Sequence, residues 1–371
     1  MQSRGVVAAA IAFSSLLATA GAQEALPVTQ TFIPVTPIER LNPNYPGSAM
    51  MNGQEGWVVV SFVVSAVGDV QEAMIEDSSG IESLERAALE AVSRWRYAPA
   101  TENGQPVEQA MVSTRLTFQL EGAAKGASSA FLSKYRQVSR LLNEGKVAEA
   151  EPLLADLEFK GRRNLYEDAW LWWAKYVYLE KSGSQDDEEK QKVLQRAIGY
   201  QEEYLTPDQF VAAAQRLVVL YARTLDLSSA IRTFERLRDS RTARRSDDHE
   251  RAMTALTPAY ERMREIVAGE QALVMDGKVR EHDYWVHNLL RPSFEISDVN
   301  GRLDVLDIRC KSGTRRYNTL PTDAVWTVPP SWGDCGVYVK GEPGTTFKFH
   351  EYPASYSASA PIHIERPNGQ P

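Results

Sequence analysis

The stretch that most constrains the fold is residues 42–120, because its apolar residues change their spacing twice. Apolar residues alternate along residues 58–64 and 70–75, and alternation of period two predicts β-strands. From Leu84 to Trp95 they recur at i, i+3, i+4 and i+7, which predicts one face of an α-helix. Alternation returns along residues 112–120. The stretch therefore predicts a small antiparallel sheet with the order strand, strand, helix, strand.

Local signals mark the boundaries of these elements. Gly68 lies in the turn between the first two strands, where glycine adopts turn conformations without strain. Residues 79–82, Ser-Gly-Ile-Glu, are typical of a capping box at a helix start, and Pro99 predicts the helix end. Trp95 is expected to anchor the helix on the sheet, as large aromatic side chains commonly do.

Three motifs at fixed spacing connect this stretch to a known family. They are the run Asn-Pro-Asn-Tyr-Pro at 42–46, the pair Glu-Gly at 55–56, and Arg-Trp-Arg-Tyr at 94–97. With them, residues 42–121 resemble the C-terminal domain of the TonB family. The resemblance implies that the last strand captures an extended segment of a TonB-dependent outer-membrane receptor by β-augmentation. The implied peptide-binding residues are Asn42, Asn44, Tyr45, Val112, Ser113, Thr114, Arg115, Leu116 and Thr117.

The N-terminal sequence indicates export. Residues 1–22 combine a basic start, a short apolar core and an Ala-Gly-Ala cleavage site, which together are typical of a signal peptide. The apolar core is shorter than the roughly 20 residues that a membrane span needs. We expect a periplasmic protein that starts at Gln23 and has no membrane span after cleavage; retention of residues 1–22 as an inner-membrane anchor is the alternative. Residues 23–41 are expected to form an extended lead-in rather than a folded unit.

The first strand of the sheet is apolar on both sides. Its outward positions are Trp57, Val59, Ser61 and Val63, whereas a sheet with one solvated face should carry polar residues there. Either another part of this chain covers that face, or the face is an exposed binding patch. We favour the cover.

The remaining residues predict two further regions and make the chain a multidomain α+β protein. Residues 122–129 form a Gly- and Ser-rich linker, and residues 130–281 are helical in pattern. Residues 142–157 and 217–237 are similar to tetratricopeptide repeats, whose small alanines let paired helices approach; an irregular helical bundle is the alternative. Residues 282–354 predict a small β module, with two strands around an Asn-Gly turn at 300–301, and residues 355–371 a disordered tail.

Composition and motifs exclude several function classes. The net charge of −8 argues against nucleic acid as a partner. Five histidines and two cysteines show no metal-ligand spacing, and no nucleophile elbow or phosphate-binding loop occurs, so we expect no cofactor, no metal and no enzymatic activity. In an exported protein Cys310 and Cys335 are expected to form one disulfide.

Two hypotheses of function follow. The first is a transport accessory that binds a TonB-dependent outer-membrane receptor. The second is an envelope scaffold in which the helices bind another envelope protein and the small sheet only packs internally. If another domain of the chain covers both the outward face of the sheet and the free edge of its third strand, the scaffold hypothesis is favoured.

Overall fold

The structure is a computed structural model that describes residues 32–122, 125–159, 163–199, 204–279, 284–321, 324–356 and 362–364. The predicted signal peptide lies outside the described residues. The described chain forms an N-terminal α/β region, a helical region and a C-terminal β module. None of the helices in this part of the chain has the length and apolar character needed to cross a bilayer.

The N-terminal region contains the predicted sheet and helix. Its elements are β1 Phe32–Ile33, β2 Thr36–Glu39, α1 Gly47–Met51, β3 Gly56–Val64, β4 Val70–Ser78, α2 Glu82–Val92, β5 Arg96–Ala98, β6 Ala100–Glu102, β7 Gln105–Val107 and β8 Gln109–Phe118. Strands β4, β3 and β8 form an antiparallel sheet in that order. Helix α2 packs on the face that carries Val58, Val60 and Phe62, all fully buried.

The ends of α2 differ from the prediction. Its N-cap is Ile81, and the Ser79 hydroxyl instead accepts a hydrogen bond from the Trp57 N–H at 3.2 Å. No capping box forms at α2, because the Ser79 hydroxyl is hydrogen-bonded to the start of β3 instead. The helix ends at Val92, before Pro99, and the chain then enters β5. Trp95 lies just beyond the helix and contacts Phe62 edge to face, with ring centroids 6.2 Å apart.

The described part of the lead-in, residues 32–41, is extended and packs against the rest of the N-terminal region. Strand β1 pairs with β6, and β2 pairs with β5. The indole N–H of Trp95 donates to the carbonyl of Leu41 at 2.8 Å, and the Arg40 guanidinium lies over the same ring. Residues 32–41 therefore belong to the folded region.

The helical region follows. Its helices are α3 Ser129–Asn143, α4 Val147–Phe159, α5 Leu165–Lys181, α6 Asp187–Gly199, α7 Pro207–Arg223, α8 Leu227–Asp239 and α9 His249–Ala268. Consecutive helices pack as pairs, α3 with α4, α5 with α6 and α7 with α8. Ala150 and Ala230 are fully buried in the second helices of two pairs. The pairing is compatible with the predicted repeats, and the assignment to the tetratricopeptide family stays a prediction.

The helical region is shorter than predicted. Helix α9 ends at Ala268, and strand β9 already occupies part of the range predicted to be helical. Gly269 is the C-cap of α9, and Arg291, which is 5% exposed, donates hydrogen bonds to the carbonyls of Ile266, Val267 and Gly269. A cation at the C-terminus of a helix satisfies its last carbonyl groups and its dipole.

The C-terminal module is built from two sheets. Its strands are β9 Leu273–Lys278, β10 Tyr284–Asn288, β11 Ser293–Asn300, β12 Leu303–Cys310, β13 Gly313–Tyr317, β14 Val325–Thr327, β15 Cys335–Gly341, β16 Thr346–Tyr352 and β17 Ile362–His363. One sheet has the order β10-β15-β12-β13 and the other β17-β14-β11-β16-β9. Their inner faces share one core, which includes Phe294, Ile308 and Phe349.

The predicted hairpin around residues 300–301 is wrong in its pairing. Both strands exist as β11 and β12, but they lie in different sheets. The Asn-Gly turn therefore carries the chain from one sheet to the other. The predicted tail is also partly folded, since β17 pairs with β14 and Ile364 is 1% exposed.

Cys310 and Cys335 form the expected disulfide between the neighbouring strands β12 and β15. In the chain-entropy model a bridge across such a loop contributes about 3 kcal/mol. Thiol labelling of the unfolded, unreduced protein should therefore find no free thiol. The double variant Cys310→Ser, Cys335→Ser should lower the free energy of unfolding by about 3 kcal/mol. Labelling of both cysteines, or unchanged stability of the double variant, would contradict this role.

Candidate functional site

The predicted binding strand lies at an edge of its sheet. Strand β8 pairs with β3 along its length and, among the strands that the structure describes, with no other. An edge strand presents backbone N–H and C=O groups with which an incoming strand can pair.

Hydrogen bonds at β3 show which residues of β8 face outward. The N–H and C=O of Trp57 bond to the Ser79 hydroxyl and N–H, on the side of β4. Because alternate residues of a central strand face alternate neighbours, Val58 faces β8 and its opposed residue Leu116 faces β3. The backbone groups of Thr114, which lies opposite Val60, likewise face β3. The backbone groups of Ser113 and Thr117, between these positions, therefore point to the open edge.

The side chains of β8 divide between the two faces of the sheet. Val112 and Leu116 pack against the core beneath α2, and Thr114 lies in the same row. Ser113 and Thr117 are exposed on the opposite face. The Arg115 guanidinium lies 4.4 Å above the Trp57 ring. Of the predicted residues on β8, Val112 and Leu116 are thus core residues that shape the strand.

The three predicted residues before β3 are only partly gathered at this strand. Tyr45 packs edge to face on Phe118 at the end of β8, with ring centroids 5.8 Å apart. Its hydroxyl donates to the carbonyl of Gln54 at 2.6 Å. Burial, with a smaller effect of the Glu55 carboxylate, raises the pKa of Tyr45 to about 12, so the hydroxyl remains a donor at neutral pH. Asn42 and Asn44 are exposed, upstream of this contact.

The helical region covers one end of the outward face. Trp57 is 1% exposed and belongs to the core of the helices, where Val59 also packs. Gly199, at the end of α6, lies against the indole, and a Cβ there would be 2.7 Å from the ring. Arg115 donates to the carbonyl of Gly199. The apolar outward face is therefore covered by this chain, as we favoured from the sequence.

The C-terminal module covers the other end of this face. The guanidinium of Arg309 is buried and bonds to both the carbonyl and the carboxylate of Glu72, at 3.2 and 3.1 Å. Asp307 also accepts from Arg309, at 2.7 Å, so the buried cation is paired within its own strand. The Thr314 hydroxyl donates to the Glu108 carboxylate, just before β8. Sequence patterns gave no signal for these contacts, because their partners are more than 200 residues apart.

Glu55 connects the sheet to the helices at a single carboxylate. It is 4% exposed, and its two oxygens accept hydrogen bonds from the N–H groups of Leu120 and Leu165, at 3.0 and 3.2 Å. Leu165 is the first residue of α5, where a carboxylate is favoured by the helix dipole. This role was not predicted, although Glu55 is part of the motif that revealed the family resemblance.

Comparison with known proteins assigns the N-terminal region. Residues 41–120 match the family model for the Gram-negative bacterial TonB protein C-terminal. This range carries the described sheet, α2 and the edge strand. Residues 41–120 are a TonB C-terminal domain. The TonB-like domain below means these residues.

The relatives and solved structures that follow each match a part of this chain. Protein tonB2 of Pseudomonas aeruginosa is 41% identical over 78 residues, which are 21% of this chain and 28% of the relative. Protein TonB of Vibrio cholerae serotype O1 is 34% identical over 83 residues, 22% of this chain and 34% of the relative. The chain thus spans about a third or less of each relative. The NMR structure of the Pseudomonas aeruginosa TonB C-terminal domain aligns with 24% of this chain and 90% of its own, at 20% identity and a TM-score of 0.20.

Among the described residues, no group of three or more His, Cys, Asp and Glu side chains is placed to hold a metal ion. His287 bonds to Glu351 at 2.6 Å inside the β module, and the second oxygen of Glu351 accepts from the N–H groups of Leu290 and Arg291. This buried pair is fully used in joining β10 to β16.

Proposed function

We propose that this protein acts in the periplasm and binds an extended segment of a TonB-dependent outer-membrane receptor along β8 of its TonB-like domain. The observation that carries the proposal is the open edge of β8, where the backbone groups of Ser113 and Thr117 face away from β3. An added strand would pair there by main-chain hydrogen bonds. The likeness to TonB proteins supplies the class of partner.

Cover of the outward face limits how the segment is bound. Trp57 and Val63 are buried and Val59 is half-buried, because the helices and the β module lie on that side. Binding therefore rests on the strand edge and on the exposed side chains of Ser113 and Thr117 rather than on an apolar patch. We propose an accessory role in outer-membrane transport, with no enzymatic step.

The second candidate is an envelope scaffold. The covered outward face favours it, since the sheet then also serves as a base on which the helices and the β module pack. The scaffold hypothesis also requires that another domain cover the edge of β8; β12 and β13 of the β module lie close to β8, but no described strand pairs with its free edge. We therefore place receptor binding first.

A pull-down tests the two candidates against each other. The full chain without residues 1–22, immobilised and incubated with solubilised outer membranes, should retain TonB-dependent receptors identified by mass spectrometry. A receptor peptide added in excess should displace them, because strand addition uses one edge. Recovery of other envelope proteins and of no such receptor would reject receptor binding and support the scaffold.

A further inference from the structure

The three regions of the chain form a closed ring of contacts. The sheet of the TonB-like domain meets the helices at Trp57, which lies in their core. The helices meet the β module through Leu273 and Leu290, which pack in the same core, and through the buried Arg291 at the end of α9. The β module returns to the sheet through Arg309. Each region therefore touches both of the others, at three junctions.

The junction between the sheet and the β module differs from the other two because it is polar. Among the described residues, the core of the module and the core beneath α2 share no side chain. Contact is made instead by polar groups, with Arg309, Arg316 and Thr314 of the module meeting Glu72 and Glu108 of the sheet. Domains joined by polar interfaces typically move relative to one another, whereas a large apolar interface holds them fixed.

Four charged side chains, Glu72, Asp307, Arg309 and Arg316, form what we call the latch at this junction. Arg309 and Asp307 are buried, with 2% and 1% of their side chains exposed, and they pair at 2.7 Å. The Glu72 carboxylate lies 3.1 Å from Arg309 and 3.3 Å from Arg316. Two cations and two carboxylates thus neutralise each other. Because taking charges out of water costs about as much as pairing them returns, the latch closes the junction without making it strongly stable.

Glu72 has an unfavourable backbone conformation within the latch. Its φ of 49° lies in the left-handed region, which is uncommon for a residue other than glycine. It lies where β4 shifts its register against β3, between the partners of Ser61 and Val63. Arg309 donates to both the carbonyl and the carboxylate of Glu72, so docking of the module holds this bulge. Strain of this kind persists only while the surroundings impose it, and opening of the junction would relieve it.

We propose that the latch closes reversibly and that the β module moves away from the sheet while staying attached to the helices. Screening or loss of the ion pairs of Glu72 opens it, since the side chains of Glu72 and Arg316 are 38% and 41% exposed and are reached by ions in solution. Strands β12 and β13 lie close to β8 in the closed state and leave it on opening. The outward sides of β4 and β8 then become accessible. This motion does not depend on receptor binding at β8.

Distances between two spin labels test the proposal on the full chain without residues 1–22 and without a ligand. The labels would be attached at Val67→Cys, in the exposed turn after β3, and at Asn318→Cys, exposed after β13, since the native cysteines are paired. Double electron–electron resonance should show one main distance at low salt. Glu72→Gln removes two ion pairs and should increase a second, longer-distance population about tenfold, because each lost charge-assisted hydrogen bond shifts the equilibrium by about that factor. About 1 M NaCl should increase the same population in the labelled chain without Glu72→Gln.

Matched variants make the result specific to the latch. Arg316→Gln weakens it from the side of the module and should give the same longer-distance population. Glu82→Gln makes the same charge change as Glu72→Gln at an exposed ion pair of α2, outside the junction, and should leave the distances unchanged. Identical distance distributions in Glu72→Gln, Arg316→Gln and Glu82→Gln would overturn the proposal. So would a longer-distance population accompanied by loss of β structure in circular dichroism, because the module would then unfold rather than move.

Discussion

Proline at Ser113 or Thr117 should abolish binding of a receptor segment while leaving the TonB-like domain folded. The backbone N–H groups of these residues face the open edge of β8, so proline removes a donor that an added strand needs. The bonds between β3 and β8 use the alternate residues and persist. Binding would be measured by fluorescence anisotropy with a labelled peptide of a receptor recovered in the pull-down.

Matched variants separate loss of a donor from loss of the fold. Ser113→Ala and Thr117→Ala keep the N–H and should bind within about twofold of the unchanged chain, since the contact is mainly through the backbone. Thr114→Pro removes an N–H that faces β3 and should instead unfold the domain, as circular dichroism would show. If the Ser113 and Thr117 proline variants stay folded and bind normally, strand addition at this edge is wrong.

Replacing Trp57 by alanine should give the largest loss of stability. The side chain is 1% exposed, and it fills the space between the sheet, Gly199 and Arg115. Truncation of a buried tryptophan typically lowers the free energy of unfolding by about 3–5 kcal/mol. It also removes the ring on which Arg115 stacks, so the contact between the sheet and the helices should weaken.

Chemical denaturation of the full chain measures this effect. Val67→Ala is the control, because Val67 is 79% exposed in the turn after β3 and should change stability by less than about 0.5 kcal/mol. Amide exchange should rise at the end of α6 in Trp57→Ala and stay unchanged in Val67→Ala. Similar stability of the two variants would show that the helices do not depend on Trp57 for their packing.

Local sequence patterns were sufficient for β3, β4, α2 and β8 of the TonB-like domain, but not for α1 or the short strands β5, β6 and β7. Alternation at Val58, Val60 and Phe62 predicted β3 because a strand with one face on a core repeats every second residue. The edge position of β8 followed from family resemblance. The covered outward face was expected from Trp57, Val59 and Val63, but their partner was not, because a buried apolar residue does not specify what buries it.

Contacts between distant residues account for most of what was missed. Arg291 caps the last carbonyl groups of α9, which the sequence did not reveal, although Gly269 directly after the helix is itself a helix stop signal. The Asn300-Gly301 turn predicted a hairpin because such a turn joins paired strands in most local contexts. Here each strand has better partners elsewhere, β14 and β16 for β11, and β13 and β15 for β12.

The carboxylate of Glu55 has a mechanical consequence. It holds Leu120, two residues after the end of β8, and Leu165, the first residue of α5, together, whereas the backbone leads from β8 to α3. Tension on a strand added along β8 would load the hydrogen bonds between the strands in shear. The Glu55 carboxylate gives that force a route from the end of β8 to α5 that does not follow the backbone, so the helices would bear part of any pull on a bound segment.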